Sequence, residues 1–492
     1  MANTKPALNI PHAESLFIGG QWVAPSTGES FAVLNCATEE VVAHVAKAGE
    51  ADVAAAVQAA RQAFDHGPWP RMTPAERAVY MDRIAERVEA LNDDFARIWS
   101  VESGVLYKIA QPRVGQYLSG AFRRYSAMAQ TYPFVEPVTS VTGHRGYRVQ
   151  EPVGVAVAIV PWNGPAGLIA YKVAPALLAG CTVIIKNSPE APCSGYLFAQ
   201  ICQEVGLPPG VVNMLTADRD VSEALVRNPG VDKITFTGST AAGRRIGAVA
   251  AERVARCTLE LGGKSPAVVL DDYDVETAAK ALGAPYFSYL TGQVCASLTR
   301  IIVPRAKHDA MVEALVAAAR GMVLGDPLDG ATTMGPLATA RQRETVEQLL
   351  AKSLADGAQL ATGGARPQQP GRGFFFEPTV LAHVDNRSFA ARNEFFGPVL
   401  SVIAADSEQH AIDMANDTIY GLNAAVFTHD AERAMQVARQ LRSGTVGHNA
   451  SRYDFSIGFG GFKQSGIGRE GGEGGLEAFL ESKAVVLDQL AA

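Results

Sequence analysis

The sequence predicts an α/β protein with two doubly wound domains and a small additional β arm. Three observations support this class. Apolar runs typical of buried strands alternate with helical segments along most of the chain, which is the pattern of parallel sheets covered by helices. The alternation forms two series that meet near residue 260. Two β-leaning stretches, about 134–150 and about 482–490, lie outside both series.

The elements of the first series follow in chain order. A Gly19-Gly20 pair between apolar ends predicts a hairpin over 17–23. The stretch 51–64 predicts a helix, and 74–131 is mostly helical in pattern. Val153–Val160 has the composition of a strand that is buried on both faces. The series then continues with a helix at about 166–179, a strand at 182–186, a helix near 193–205, a strand at 211–215, a helix through 222–227, a strand at 233–236 and a helix from Ser239.

The second series begins with a strand near Ala267. Further strands are predicted at 300–303, 399–404, 424–427 and 445–448, and the Gly/Pro-rich segment 363–373 predicts an exposed loop. The two stretches outside the series predict edge strands. Because unpaired edges favour pairing with another chain, we expect a homo-oligomer.

Composition narrows the classes of function. The 492 residues carry a net charge of −7, from 43 basic and 50 acidic side chains, so we expect no nucleic-acid partner. Six scattered cysteines without a CxxC pair predict neither a disulfide framework nor a metal site. The longest uncharged stretch, 152–171, is broken by Pro161 and Gly164, so it predicts a strand, a loop and a helix rather than a membrane span. No secretory signal is recognisable, and we expect a cytoplasmic protein without membrane contact.

The segment Gly238–Gly243 connects a predicted strand to a predicted helix. Glycines at such a place let backbone N–H groups approach a phosphate, which favours dinucleotide binding. The alternative is a helix that is simply capped by Ser239. A P-loop is disfavoured because Gly243 is followed by two arginines instead of Lys-Ser or Lys-Thr.

Three polar side chains are candidates for catalysis. Cys295 lies in a glycine-containing segment where a loop can present a thiol, although most cysteines are small buried core residues. Glu260 lies between two leucines, where desolvation raises a carboxyl pKa towards that of a general base, unless it occupies an exposed edge strand. Asn163 follows a buried strand and can donate to an oxyanion or satisfy a turn. The sequence has no GxSxG or SxxK motif, which disfavours a serine hydrolase.

Together these segments resemble the aldehyde dehydrogenase superfamily over nearly the whole chain. The motifs that carry the resemblance are Pro161-Trp-Asn, Lys186, Phe236-Thr-Gly-Ser239, Glu260-Leu-Gly-Gly-Lys-Ser-Pro266, Gly292-Gln-Val-Cys295, Met334-Gly-Pro-Leu337, Glu394-Phe-Phe-Gly-Pro-Val399 and the run FGGFKQSGIGRE from Phe459 to Glu470. The resemblance implies an NAD(P)-binding domain over 1–130 and 151–259, a catalytic domain over 260–475, and an oligomerisation arm over 131–150 and 476–492. It also implies a homodimer or homotetramer.

The resemblance implies oxidation of an aldehyde to the acid with hydride transfer to NAD(P)+. Cys295 would attack the carbonyl carbon, and the amide of Asn163 with the Cys295 N–H would hold the oxyanion. Glu260 would activate water to hydrolyse the thioester. Lys172 matches a lysine near the family's site. The alternatives are a CoA-acylating relative, which generally lacks the residue found here as Glu260, and a structural protein that keeps the fold.

The resemblance also implies which residues contact the cofactor: Ile159, Trp162, Lys186, Ser188, Pro189, Phe236, Gly238, Ser239, Leu261, Glu394 and Phe396. Ser239 would meet a phosphate, while Lys186 and Glu394 would bind the two riboses. The family often has a ribose-binding Glu where this chain has Pro189, which leaves NADP open as an alternative. Glu190 and Asp218 nearby favour NAD, which is our prediction.

The positions that match the family's substrate tunnel are Gly164, Gly167, Leu168, Tyr171, Tyr289, Val294, Ala296, Ser451, Tyr453 and Phe459. Gly164 and Gly167 replace bulkier residues that are common there, which predicts a wider wall. The set has no charged member. We therefore expect a medium or bulky apolar aldehyde, aromatic or terpenoid-like, rather than a charged one.

Overall fold

The computed structural model describes residues 8, 10–141 and 143–488. Its strands are β1 (Leu16–Ile18), β2 (Gln21–Val23), β3 (Ser30–Leu34), β4 (Val41–Ala46), β5 (Val135–Thr139), β6 (Arg145–Pro152), β7 (Val155–Ile159), β8 (Thr182–Asn187), β9 (Val212–Thr216), β10 (Lys233–Thr237), β11 (Arg256–Glu260), β12 (Ser265–Val269), β13 (Leu298–Pro304), β14 (Gln359–Thr362), β15 (Thr379–Ala382), β16 (Val399–Ala405), β17 (Asn423–Phe427), β18 (Thr445–His448), β19 (Gly466–Ile467) and β20 (Leu480–Leu487).

Its helices are α1 (Glu50–Asp65), α2 (Pro74–Ala90), α3 (Asn92–Ser103), α4 (Tyr107–Val114), α5 (Gly120–Met128), α6 (Pro165–Ala179), α7 (Cys193–Glu204), α8 (Arg219–Arg227), α9 (Thr240–Glu252), α10 (Val275–Leu282), α11 (Ala284–Ser288), α12 (His308–Arg320), α13 (Ala340–Ala355), α14 (Phe389–Arg392), α15 (Glu408–Asn416), α16 (Ala431–Gln440) and α17 (Gly472–Glu477). In the described part of the chain, no helix has both the length and the apolar character needed to cross a membrane.

The first large sheet has the strand order β19-β11-β10-β7-β8-β9-β1-β2. Its five strands from β11 to β9 are parallel. The chain moves outward from β7 to β8 and β9 on one side, and then returns to place β10 and β11 on the other side. The crossover direction therefore reverses between β7 and β10, and the carboxyl ends of two such strands are where open α/β sheets bind ligands.

Strand β7 shows why this sheet is buried. Ala156 and Ala158 belong to one apolar cluster, whereas Val155, Val157 and Ile159 belong to another. Because successive strand residues point to opposite faces, the two clusters cover the two faces of the sheet. The predicted continuous apolar strand is confirmed.

The second large sheet has the order β14-β15-β16-β13-β12-β17-β18. All of its pairs are parallel except β14 with β15. It also reverses direction, between β12 and β17. The predicted fold class, two doubly wound α/β units with a small β arm, is therefore confirmed.

The arm is a three-stranded antiparallel sheet with the order β20-β6-β5. The expectation that both stretches outside the main series are edge strands is wrong for β6, which is the central strand. The expected stretch 482–490 reaches beyond the described residues, because 489 and 490 lie outside them. The edges of this sheet are β5 and β20.

The division of the chain between the large sheets differs from the expected range 260–475 at Glu260, which ends β11 of the first sheet, and at β19. Strand β19 pairs with β11 of the first sheet, although 466–467 fall inside the range 260–475 that was expected to form the second domain. The partner residues are Glu260 with Gly466 and Leu259 with Ile467. A strand that returns from the second unit thus begins beside Glu260. The other domain bounds stay predictions, and residues 1–7, 9, 142 and 489–492 lie outside the described part.

Candidate active site

One cavity of about 360 Å³ lies at the carboxyl ends of β7, β10 and β11, where they meet the segment before β13. It brings together three predicted catalytic residues, Asn163, Glu260 and Cys295. It also gathers most of the residues expected to bind cofactor or substrate, namely Trp162, Gly164, Gly167, Leu168, Tyr171, Gly238, Ser239, Leu261, Tyr289, Val294, Ala296, Glu394, Phe396, Tyr453 and Phe459. The residues come from both α/β units.

Asn163 lies in the short loop between β7 and α6 and is buried. Its Nδ2 donates to the carbonyl oxygen of Gln293 at 2.9 Å. Its own carbonyl accepts from Nε1 of Trp99 at 2.8 Å. An amide nitrogen carries two hydrogens, so the bond to Gln293 orients the second one and leaves it free to donate.

The segment before Cys295 has an unusual backbone. Leu290, Thr291 and Gly292 all have positive φ, of 53°, 54° and 74°. A β-branched residue rarely adopts this conformation, so the surroundings must hold it in place. They do so at Thr291, whose Oγ1 donates to the carbonyl of Gly335 at 2.8 Å.

Gln293 fixes the same segment from the other side. Its Nε2 donates to the Leu290 carbonyl at 2.8 Å, and its Oε1 accepts from the Ala338 N–H at 2.9 Å. Its side chain is fully buried. The thiol of Cys295 is thus presented by a rigid turn rather than by a mobile loop.

Cys295 is a half-buried free thiol. Burial raises its pKa above the ordinary value, and the carboxyl groups of Glu394 and Glu260 raise it further. The backbone amides of Ala296 and Cys295 act in the opposite direction. The resting sulfur is therefore protonated at neutral pH, and it needs a base when it attacks.

Glu260 ends β11 and is almost fully buried. Burial raises the pKa of its carboxyl well above the ordinary value, and the neighbouring Glu470 raises it further, whereas Lys172 and Arg469 lower it. Neither carboxyl oxygen has a hydrogen-bond partner among the described residues. A buried carboxyl with unused oxygens at a cavity wall is suited to accept a proton.

Lys172, expected near the site, does not itself line the cavity but contacts a residue that does. Its fully buried ammonium forms an ion pair with Glu470 Oε1 and donates to Thr237 Oγ1 at 2.7 Å. Glu470 does line the cavity, and it was not among the predicted site residues. Lys172 is thus placed behind Glu470, from where its charge reaches Glu260.

Gly238 and Ser239 line the cavity at the start of α9. Ser239 caps this helix, because its Oγ accepts from the Ala242 N–H at 3.3 Å. Helix capping by Ser239 and phosphate binding by the same segment are therefore compatible, since the cap leaves other N–H groups of the first turn free. Gly238 has to stay without a side chain, because a Cβ there would lie 2.5 Å from the ring of Phe236.

Five expected cofactor residues do not line the cavity: Ile159, Lys186, Ser188, Pro189 and Phe236. Three of them are adjacent at the strand ends, because Ile159 pairs with both Lys186 and Phe236. Ser188 and Pro189 follow in the loop after β8, where the Ser188 hydroxyl contacts the Glu190 carboxylate. This group therefore extends the site along the sheet edge.

The Lys186 ammonium has no hydrogen-bond or ion-pair partner among the described residues, although the side chain is only 8% exposed. Burial lowers its pKa to about 8, while Glu190 and Asp218 act in the opposite direction. Glu394, at the other end of the cleft, accepts from the Gly263 N–H at 3.0 Å, and burial raises its pKa to about 7. Both groups have unused hydrogen-bonding capacity that fits ligand hydroxyls.

The wall expected to face substrate is aromatic. Tyr171 stacks on Phe455 with 4.0 Å between ring centroids, and Phe455 stacks on Phe459 at 4.5 Å. Ser451, expected in the wall, is exposed instead and accepts from Nδ2 of Asn423 at 3.4 Å. At Gly164 an added Cβ would meet its nearest atoms only at 3.9 and 4.0 Å, so this position leaves space in the cavity.

Several lining residues were not predicted: Trp99, Arg113, Val114, Tyr117, Pro161, Ala166, Thr237, Gly262, Leu290, Gln342, Thr345, Phe395, Phe455 and Glu470. Five of them lie inside motifs quoted for the resemblance and therefore had a signal: Pro161, Thr237, Gly262, Phe395 and Glu470. Arg113 and Tyr117 come from the helical region 107–119 and had none. None of the ten predicted wall positions carries a charge, but Arg113, which was not among them, adds a charged side chain to the lining.

Comparisons with known proteins agree with this geometry. A family model described as aldehyde dehydrogenase family matches residues 22–485. The chain is 41% identical to geranial dehydrogenase of Castellaniella defragrans, over 98% of this chain and 100% of that protein. It is also 41% identical to 3-succinoylsemialdehyde-pyridine dehydrogenase of a Pseudomonas species, over 96% and 98% of the two chains.

One similar solved structure contains both a cofactor and an aldehyde. Aldehyde dehydrogenase C of Pseudomonas syringae, crystallised as a mutant with NAD+ and octanal, superposes with a TM-score of 0.93. The sequence identity is 39%, and the alignment covers 98% of each chain.

Proposed function

The chain belongs to the aldehyde dehydrogenase family, and on this basis we propose that it oxidises an aldehyde with a medium or bulky apolar skeleton to the carboxylic acid, with NAD+ as oxidant. One observation carries the proposal: the Cys295 thiol, the Asn163 amide and the Glu260 carboxyl line a single cavity beside the start of α9. A nucleophile, a neutral donor and a base are the three groups that acyl transfer through a thioester requires.

The residues at the sheet edge fit a dinucleotide. The unpartnered ammonium of Lys186 and the carboxyl of Glu394 would each bind a ribose, and the first turn of α9 with Gly238 and Ser239 would receive a phosphate. Two acidic residues, Glu190 and Asp218, lie close enough to Lys186 to influence its pKa. Their negative charges disfavour a further phosphate on the adenosine ribose. This favours NAD over NADP. When bound, the nicotinamide supplies the acceptor for the hydride that leaves the substrate carbon.

The first chemical step belongs to Cys295. The thiol proton moves to the Glu260 carboxylate as sulfur bonds to the carbonyl carbon, and the carbonyl π electrons move onto oxygen. The free N–H of Asn163 and the N–H of Cys295 donate to that oxygen. Donors that are fixed before the reaction stabilise the developing charge without reorganisation.

The thioester left after oxidation is removed by water. Glu260 first releases to bulk water the proton that it took from the thiol. Its carboxylate then accepts a proton from a water molecule as the oxygen of that water attacks the acyl carbon, and the sulfur leaves as thiolate with the electrons of the C–S bond. Because burial and Glu470 raise the Glu260 pKa, its basic form is present only towards higher pH. The rate of hydrolysis should therefore rise with pH.

The aromatic wall supports the proposed substrate class. Gly164 leaves open space, and Tyr171, Phe455 and Phe459 form a continuous apolar face. Two of the compared proteins point in the same direction, one named for geranial and one solved with octanal.

The test is a steady-state screen of short, aromatic and terpenoid aldehydes with NAD+ and NADP+ in parallel. Growth of reduced-cofactor absorbance with formation of the free acid is expected, with NAD+ preferred, and Cys295→Ala should abolish it. Formation of an acyl-CoA in the presence of CoA, or no turnover with any aldehyde, would overturn the proposal. Gly164→Phe should lower kcat/KM for terpenoid aldehydes more than for propanal.

We further propose a cytoplasmic homo-oligomer. All six cysteines are free thiols, which fits a reducing compartment. The arm sheet has two open edges, and Val135 on β5 and Val486 on β20 are 60% and 61% exposed. Light scattering coupled to size exclusion should give a dimer or a tetramer, and a monomer would refute this part.

A further inference from the structure

Arg113 near the end of α4 lines the cavity. Among the cavity-lining residues of the described chain, it is the sole arginine or lysine. Its guanidinium lies over the ring of Tyr289, with 4.5 Å from Cζ to the ring centroid. A cation has thus been placed within a wall that is otherwise mainly aromatic.

The guanidinium has donors to spare. Its Nε–H is buried and has no hydrogen-bond partner among the described residues, and no acidic side chain there forms an ion pair with it. Burial lowers the pKa of Arg113, but the neighbouring Tyr289, Tyr117 and Tyr453, together with a hydrogen bond that the guanidinium donates to the Tyr117 hydroxyl, raise it above the ordinary value. The group therefore stays charged, and beyond the Tyr117 hydroxyl the described residues supply no acceptor for its remaining N–H groups, which leaves them available to a ligand.

Stacking on Tyr289 accounts for only part of this arrangement. A cation–π contact uses the face of the planar guanidinium. The five N–H groups point outward in the plane of the guanidinium, where they can meet oxygen or nitrogen acceptors. If Arg113 served packing alone, the structure would be more stable with protein acceptors bound to the N–H groups at the edge of the guanidinium.

We propose that Arg113 binds a hydrogen-bond acceptor at the end of the substrate opposite the aldehyde. The substrate class is then an aldehyde with an apolar or aromatic spacer and a carbonyl, carboxylate or ring nitrogen at its far end. This inference rests on the proposed function and adds the recognition of the far end to it. It also revises the expectation, drawn from the sequence, that the site rejects charged aldehydes.

The test compares aldehydes of matched length. For six, eight and ten carbons, kcat/KM is measured for the n-alkanal, the ω-oxo carboxylic acid and its methyl ester. The readout is kcat/KM for the ω-oxo acid, or for its methyl ester, divided by kcat/KM for the alkanal of the same length. The ratios are compared at the chain length that gives the wild type its highest value. In Arg113→Met, and in Arg113→Gln as a second variant, at least one ratio should fall about tenfold or more, because a hydrogen bond to a charged group is lost.

Arg97→Met is the matched control. Arg97 also lies over a tyrosine, Tyr107, with 5.1 Å from Cζ to the ring centroid, but it does not line the cavity. Its ratios should match the wild type. If both ratios in the Arg113 variants change by less than about fivefold, or if Arg97→Met changes them equally, the inference is overturned.

Binding without turnover gives a second readout. Trp99 and Trp162 line the cavity, so their fluorescence in a Cys295→Ala background should report binding of the ω-oxo acid. Adding Arg113→Met should weaken that binding by about the same factor as the ratio. If the wild type oxidises no aldehyde, the proposed function fails. If it oxidises alkanals but neither readout responds to Arg113, only this inference fails.

Discussion

Replacement of Glu470 by glutamine should change both stability and the pH profile of catalysis in defined directions. Glu470 is 3% exposed and forms an ion pair with Lys172, which is fully buried. The change keeps the shape of the side chain and removes its charge. The ammonium of Lys172 retains two acceptors, Thr237 Oγ1 at 2.7 Å and Thr235 Oγ1 at 3.4 Å.

The loss of stability follows from these contacts. Removing one partner of a buried ion pair costs about 3–5 kcal/mol, because the other charge stays buried without compensation. Two hydroxyls still accept from Lys172, so we expect the lower end, about 3 kcal/mol of unfolding free energy. Domains are stable by only about 5–15 kcal/mol, so this change is readily measured. The double variant Glu470→Gln with Lys172→Met carries no charge at either position and should regain at least half of the loss.

The pH profile should move towards acid. Glu470 raises the pKa of Glu260, so its removal lowers that pKa, and the basic form of Glu260 persists to lower pH. The acidic limb of kcat should therefore shift to lower pH. In the double variant the positive charge of Lys172, which lowers the pKa of Glu260, is lost as well. The acidic limb of kcat for the double variant should therefore lie between those of the single variant and the wild type.

Urea unfolding followed by tryptophan fluorescence gives the free energies, and kcat against pH gives the limbs. The urea midpoints should differ between the wild type and the variants, whereas the m value, the slope of unfolding free energy against urea concentration, should stay the same. An unchanged or alkaline-shifted limb in Glu470→Gln would refute the electrostatic coupling to Glu260. Equal stability of the single variant and the wild type would refute the buried ion pair.

Three further predictions concern the rest of the site. Asn163→Ala should lower kcat by about 10²–10³ while NAD+ binding is kept, and a loss below tenfold would contradict the oxyanion role. The pKa of Lys186 is lowered to about 8, so its ammonium is lost as pH rises through that value, and the NAD+ Kd from fluorescence titration should increase above it. The same curve for Lys186→Gln should be flat, and a parallel rise would exclude Lys186 as the titrating group. Gly262→Ala should weaken NAD+ binding, because a Cβ there lies 2.3 Å from Oε2 of Glu394, whereas Gly330→Ala, with no atom within 4 Å, should not.

Much of the architecture could be predicted because its signals are local. The unbroken apolar run of β7 requires burial on both faces, and the Ser239 cap marks the start of α9 wherever that helix packs. The return of β19 to the first sheet had no such signal. It is two residues long, and only its pairing with β11 beside Glu260 defines it.

The site residues divide in the same way. Asn163, Glu260 and Cys295 could be proposed because each lies in a motif at a strand end or loop, and parallel strand ends meet at one sheet edge. Arg113 could not, because it lies on a helix without a motif, far along the chain from Tyr289. The contacts of Lys172 could not be predicted either: the resemblance implied only that it lies near the site, whereas the structure pairs it with Glu470 and Thr237.

The sequence by itself determined the strand and helix alternation, the two series, and the chemical groups available for catalysis, because these depend on composition and spacing within short segments. The tertiary structure alone decided which charges meet. It paired Lys172 with Glu470 behind Glu260, and it placed the guanidinium of Arg113 in an aromatic wall. Electrostatic energies depend on distance and burial, which arise only when remote segments pack together.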